Sequence, residues 1–113
     1  MNLNITKVKI CVMVPVGKTD EIRKIICNQG AGEIGTNYIE CSTVTKCIGT
    51  FKPVNNAKPY IGKKDKLEFV EEEKLEVICK IQKVKEVVKK LREVHPYEEP
   101  AIDVIPLIDD ESL

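Results

Sequence analysis

The chain has 113 residues, 42% hydrophobic and 32% charged, with 18 Lys plus Arg matched by 18 Asp plus Glu. That length fits one domain, residues 1–113 with a core over about 7–107, able to bury roughly 65% of its unfolded surface without staples. The composition excludes a disordered chain, and zero net charge removes the basic excess of nucleic-acid and membrane-surface binders while favouring self-association.

The five cysteines, Cys11, Cys27, Cys41, Cys47 and Cys79, form no CxxC pair and no zinc-type spacing. Several lie in apolar runs, so most are expected to be reduced, buried small side chains in a reducing compartment. The opening Met1-Asn2-Leu3-Asn4-Ile5-Thr6-Lys7 has no long apolar segment, and the run Ile10 to Val16 is short and holds Pro15. No signal peptide and no membrane span are therefore expected, and the default address is the cytoplasm.

In chain order, Lys7 to Pro15 reads as the first strand, with Val8, Ile10, Val12 and Val14 on one face and Cys11 and Met13 on the other. A helix follows over Thr19 to Cys27. Thr19 is its expected N-cap, Asp20 and Glu21 suit the positive end of the dipole, and Ile22, Ile25 and Ile26 form its inner stripe, with Gln29 extending it. Gly30 stands at the C-cap. Tyr38 to Lys46, rich in β-branched residues, reads as the second strand. Gly49 to Lys66, with Pro53, Pro59 and Gly62, reads as a long excursion.

Leu67 to Ile81 reads as the third strand. The second helix spans Lys83 to Val94, with Val84, Val87, Val88, Leu91 and Val94 at helical spacing and Pro96 as its stop. Ala101 to Leu107 is the last strand and Asp109 to Leu113 a frayed tail.

The order is βαββαβ, with a faint repeat of strand-then-helix at 7–30 and 74–96. It predicts an α+β, ferredoxin-like fold with both helices on one face of an antiparallel sheet and the long excursion between strands two and three. The other face stays open. Cys11, Met13, Ile78 and the run Ile102-Asp103-Val104-Ile105 make it apolar in this reading, and an exposed apolar sheet face is usually an interface. A homo-oligomer packed through the sheet is expected.

Gly30-Ala31-Gly32-Glu33-Ile34-Gly35 matches GxGxxG, but it follows a helix and precedes a strand. A pyrophosphate needs the reverse order to meet a helix N-terminus, so the glycines read as a C-cap and tight connection. His95-Pro96-Tyr97-Glu98-Glu99-Pro100 gathers an imidazole, a phenol and two carboxylates in six residues. Its structural role is a helix-to-strand turn in which His95 donates to free helix-end carbonyls. Its functional role is acid–base chemistry or a metal held by His95 and Glu98, which would need further ligands from neighbouring subunits. As successive residues starting the last strand, Glu98 and Glu99 should point to opposite sides. No serine–histidine triad or nucleophile elbow is present, and no self-sufficient catalytic site is expected. Glu71-Glu72-Glu73 reads as a solvated face, or as a protected edge strand.

Taken together, Gly30-Ala31-Gly32, Ile34-Gly35, Tyr38, Cys41-Ser42, Gly49-Thr50-Phe51, Pro53, Ala57, Pro59, Ile61-Gly62, His95 to Ala101 and Asp103 resemble the YqfO-type domain. That domain occurs alone and as an insert in some members of the NGG-interacting-factor-three-like family. The resemblance covers about residues 7 to 107. Cys47 stands where that pattern often has glycine, and Lys58 where it often has asparagine. The final motif also looks like the turn before the last strand of CutA, the divalent-cation-tolerance protein.

CutA and the PII signalling proteins share the ferredoxin-like fold and form trimers through their sheets. The resemblance therefore implies a stand-alone PII/CutA-like regulatory or small-ligand module, working as a trimer. By analogy with the ligand-responsive PII loop, its site is a cleft between subunits where the excursion meets the His95 turn. The candidate residues are Gly49, Phe51, Pro59, Gly62, His95, Tyr97, Glu98 and Glu99, with a divalent metal left open as cofactor. The family's dinuclear metal site lies in flanking domains rich in histidine, which one histidine does not supply, so its hydrolase-like activity is kept as the alternative. RNA binding ranks last, because the stretch Leu75 to Ile81 has no aromatic on which a base would stack. Neither nucleic acid nor membrane is expected as a partner.

Overall fold

A computed structural model describes residues 4–113, so the first three residues of the opening segment lie outside the described residues. The elements are β1 (Lys7–Pro15), α1 (Thr19–Asn28), β2 (Thr43–Phe51), β3 (Glu68–Lys80), α2 (Ile81–Val94), β4 (Ile102–Leu107) and a 3₁₀ turn, Asp110–Ser112. The sheet order is β2-β3-β1-β4 with every neighbouring pair antiparallel. This is the expected ferredoxin-like α+β architecture.

The alternating valines and isoleucine of β1 (Val8, Ile10, Val12, Val14) face Leu75, Val77 and Cys79 of β3 across the ladder. Both helices lie on this face: Ile22 and Ile26 of α1 and Val87 and Leu91 of α2 are buried there, flanked by half-buried Val84, Val88 and Val94. Each such side chain contributes about 1.5–3 kcal/mol relative to exposure, which is why the helical spacing could be read directly.

Several expectations are corrected. Thr19 does not cap α1. Lys18 occupies the cap position without a side-chain bond, and the Thr19 hydroxyl instead donates to Glu73 Oε1 at 2.6 Å. Gln29 is exposed and outside the inner stripe. The second strand begins at Thr43 rather than Tyr38, because residues 32–41 are tied into a loop. Cys41 N–H donates to the Gly32 carbonyl, Ile34 pairs with Tyr38, and Glu40 has a left-handed φ of 56°.

Pairing with β3 then carries β2 through Phe51, so the excursion starts at residue 52. α2 begins at Ile81, two residues early, with its first N–H bonded to the Thr6 carbonyl. The C-terminal tail forms the 3₁₀ turn, capped by Asp109 Oδ1 accepting from Glu111 N–H.

The glutamate run also departs from expectation. β3 is central, not an edge. Glu71 is exposed, Glu73 is half-buried on Thr19, and Glu72 is buried at 6% exposure.

The open face is mixed rather than apolar, because its cross-strand neighbours alternate Lys9, Ile78 and Ile105 with Cys11, Glu76 and Asp103. The larger exposed apolar side chains, Ile48 at 68% and Phe69 at 70%, lie instead on the helix side of the far β2–β3 hairpin, beyond the reach of the helices. That hairpin makes the molecule long, 48 × 31 × 23 Å, with a radius of gyration of 15.7 Å against about 13 Å for a compact chain of this length.

Gly30 ends α1 as expected. Its φ is +104°, its N–H bonds the Cys27 carbonyl, and Ala31 N–H bonds that of Ile26, the paired bonds of a Schellman cap. Gly30→Ala should therefore destabilise by about 1 kcal/mol or more, because alanine disfavours this backbone and its Cβ would displace the Lys83 side chain. Urea melts of the two proteins check this; equal midpoints would refute it.

Candidate functional site

The site is built where α2 hands the chain to β4. Leu91 and Val94 seat the end of α2 in the core, and Pro96 forces His95 into an extended conformation (φ −70°, ψ 133°) that stops the helix. His95 is buried, at 7% exposure. Its Nδ1 accepts the backbone N–H of Tyr97 at 3.1 Å, so Nε2 carries the hydrogen and donates it to the Met13 carbonyl of β1 at 2.8 Å. His95 was expected to serve helix-end carbonyls; it ties the turn to the strand instead. Burial pushes its pKa below the usual 6.5, while the Met13 carbonyl and the Glu72 charge oppose that shift. With both ring nitrogens engaged, a metal on His95 would have to break one of these bonds.

Tyr97 packs on the His95 ring at 4.8 Å between centroids and donates its phenol to Glu72 Oε2 at 2.7 Å. Burial first, and then the Glu72 hydrogen bond and charge, hold its pKa far above 10. Glu72 is the residue that sequence reasoning missed. It reaches across the open face toward β2, where a Cβ on Gly49 would overlap its carboxylate. Gly49 thus matters for a close approach.

The excursion folds over this floor within the same chain. Lys58 N–H donates to both Glu98 oxygens, at 3.1 and 3.3 Å, and the Asp65 N–H to Pro53 carbonyl bond cinches the loop. Beside the tie lies a half-open cavity of about 650 Å³. Of the candidate residues, Gly49, Phe51, Pro59, Tyr97, Glu98 and Glu99 line it. His95 lies behind Tyr97, and Gly62 sits against Phe51 and Glu68 rather than on the cavity wall.

Glu98 and Glu99 face the same cavity, because the strand begins only at Ile102 and the bend before it breaks the alternation expected of them. Met13, Tyr60 and Glu72 also line it, with Tyr60 and Tyr97 rings 6.1 Å apart.

The five cysteines are free thiols, but only Cys11 and Cys79 are buried. Burial raises the pKa of both, and of half-buried Cys27.

An antiparallel four-stranded sheet with two helices on one face is shared with CutA. The CutA structures from Synechococcus elongatus PCC7942 (TM-score 0.71, 11% identity, 95% of this chain and 81% of that one) and Archaeoglobus fulgidus (TM-score 0.67, 20% identity, 95% and 91%) superpose on it. The chain therefore has the PII/CutA-like fold.

No family model matches the sequence. A Bacillus cereus protein related to NIF3 superposes with TM-score 0.78 at 35% identity, over 96% of this chain and 28% of that one. The GTP cyclohydrolase 1 type 2 homologs of Listeria monocytogenes and Halalkalibacterium halodurans are 48% and 45% identical over 99 and 102 residues, 88% and 90% of this chain. The chain is a YqfO-type module of the NGG-interacting-factor-three-like group, and it spans about a quarter of the length of the curated relatives it matches (26% and 27%).

Proposed function

We propose that residues 1–113 form one PII/CutA-like unit, a cytoplasmic regulatory module that binds a small ligand in the cleft between the excursion and the His95–Glu99 turn. The observation that carries this reading is the Lys58–Glu98 tie, which holds a proline- and lysine-rich loop beside a half-open cavity within the size range of small-molecule sites. The cleft is intramolecular, where the PII analogy placed it between subunits. No helix among the described residues is long and apolar enough to cross a membrane. The cyclohydrolase in the relatives' names describes proteins of which this chain covers about a quarter, and no observation on this chain favours hydrolysis over binding.

A screen of small metabolites by thermal shift, followed by amide NMR, tests the reading. At least one compound should raise Tm and move the amides of residues 49–62 and 97–99. Ligands that act only elsewhere on the surface would overturn it.

The working unit in this proposal is a homo-oligomer, with a trimer favoured by the resemblance to CutA. The support is the protruding β2–β3 hairpin with Ile48 and Phe69 side by side on one face. Sedimentation equilibrium at micromolar concentration should show no dominant 12.7 kDa species. Phe69→Asp, at an exposed site in the isolated fold, should shift the protein to monomer without lowering its helix content. A wild-type monomer would remove the oligomer from the proposal.

A further inference from the structure

The cleft contains a buried carboxylate without a matching cation. Glu72 Oε2 accepts the Tyr97 phenol. Its Oε1 has no hydrogen-bond partner, and no ion pair reaches it, among the described residues. That oxygen is not sealed in protein, since no buried side-chain nitrogen or oxygen among the described residues is both enclosed and unpaired; it opens on the cavity that Glu72 lines. A carboxylate with little contact with water calls for a cation or several hydrogen-bond donors beside it. One phenol supplies part of that demand.

The rest of the wall adds to the same sign. Glu98 and Glu99 join Glu72 as three carboxylates against the single ammonium of Lys52. The remaining lining includes the neutral polar Thr50, Asn55 and Asn56 and a set of flat apolar surfaces, Phe51, Pro53, Pro59 and the tilted Tyr60–Tyr97 pair. Aromatic faces attract cations, the more so where water is scarce. A volume of about 650 Å³ is far larger than a bare ion and suits an organic molecule.

We propose that the cleft takes a small organic cation, an amine or guanidine on a flat apolar body, with its charged head on Glu72 Oε1 and its body against Phe51 and Tyr60. This rests on the reading of the cleft as a ligand site and names the chemical class of the ligand. Gly49 is the specificity-determining neighbour, because a side chain there would push the carboxylate off its position.

Three probes of one shape and different charge test it: benzylamine, benzyl alcohol and benzoate, titrated into the full chain by amide NMR. Benzylamine should shift the Gly49 and Tyr97 amides and bind at least tenfold tighter than benzyl alcohol, with no saturable binding of benzoate. Glu72→Gln, which keeps the shape and removes the charge, should abolish that preference.

If Glu72→Gln does not fold, Gly49→Ala, which displaces the carboxylate, must lose the same preference. Equal binding of amine and alcohol in wild type would leave a ligand site but overturn the cationic class. A preference that survives Glu72→Gln would overturn Glu72 as its anchor. No shift at these amides with any of the three at millimolar concentration would overturn the cleft itself.

Discussion

Replacing His95 by alanine should destabilise the fold by about 3 kcal/mol. Two half-buried backbone groups, the Met13 carbonyl and the Tyr97 N–H, lose their partners at once, each worth roughly 1–3 kcal/mol when left unmade, and the void left by the buried imidazole adds to the loss. The pH dependence has a defined sign. His95 is held neutral in the fold with its pKa depressed by burial, while in the unfolded chain it titrates near 6.5. Protons therefore bind the unfolded state first. The stability linked to this group is complete above about pH 6.5 and is lost as pH falls through the lower folded pKa. The nearest titratable groups on adjoining elements, Glu72 of β3 and Tyr97, belong to the same network.

Urea melts at pH 7.5, 6.5, 5.5 and 5.0 check this when paired with His95→Gln, which cannot charge. Carboxylates outside this network contribute equally to both proteins, so the difference between the two reports on His95 and its Glu72 neighbour. Wild type should lose more stability than His95→Gln across that range. Parallel losses would show that the imidazole is not held neutral.

This turn also shows where sequence reasoning reached and where it stopped. Pro96 as the stop of α2 follows from local chemistry and holds, and the half-buried Tyr97 phenol finds a hydrogen-bond partner. The identity of that partner does not follow, because Glu72 is 25 residues away in sequence and meets Tyr97 only through the sheet register. Within a run of three glutamates nothing local distinguishes the middle one. Its burial depends on β3 being central and on Gly49 leaving room across the ladder, two facts of tertiary pairing.

The same reason explains the shifted second strand. Tyr38-Ile39 has good strand propensity, but the Gly32–Cys41 bond and the Glu40 turn hold it in a loop. Conversely α1 and α2 were legible from side-chain spacing, because their burial is set by their own periodicity. The excursion was visible from its prolines and glycine, and Lys58, a departure from the related pattern, still ties it down because the bond uses its backbone N–H.

The Tyr97–Glu72 bond is expected to behave as a coupled pair. Tyr97→Phe removes the phenol and leaves a carboxylate at 6% exposure without its one side-chain donor, so it should cost about 1.5–3 kcal/mol, the range for hydrogen bonds to charged groups. Glu72→Gln removes the charge but leaves an amide oxygen that still accepts from the phenol, and should cost less. In the double variant the orphaned charge is gone, so the combined loss should fall short of the sum of the single losses by about 1 kcal/mol. A cycle that closes additively, within about 0.3 kcal/mol, would mean that the bond carries no coupling in solution.

A second readout separates this from general loss of packing. The Glu72 carboxylate and burial both disfavour the phenolate, so Tyr97 should stay protonated in an alkaline absorbance titration well past pH 10. In Glu72→Gln the electrostatic part of that shift disappears while burial remains, and the midpoint should move down toward the ordinary tyrosine value without reaching it. An unchanged midpoint in Glu72→Gln would contradict the geometry on which the cleft's charge rests, since the carboxylate would then not lie against the phenol.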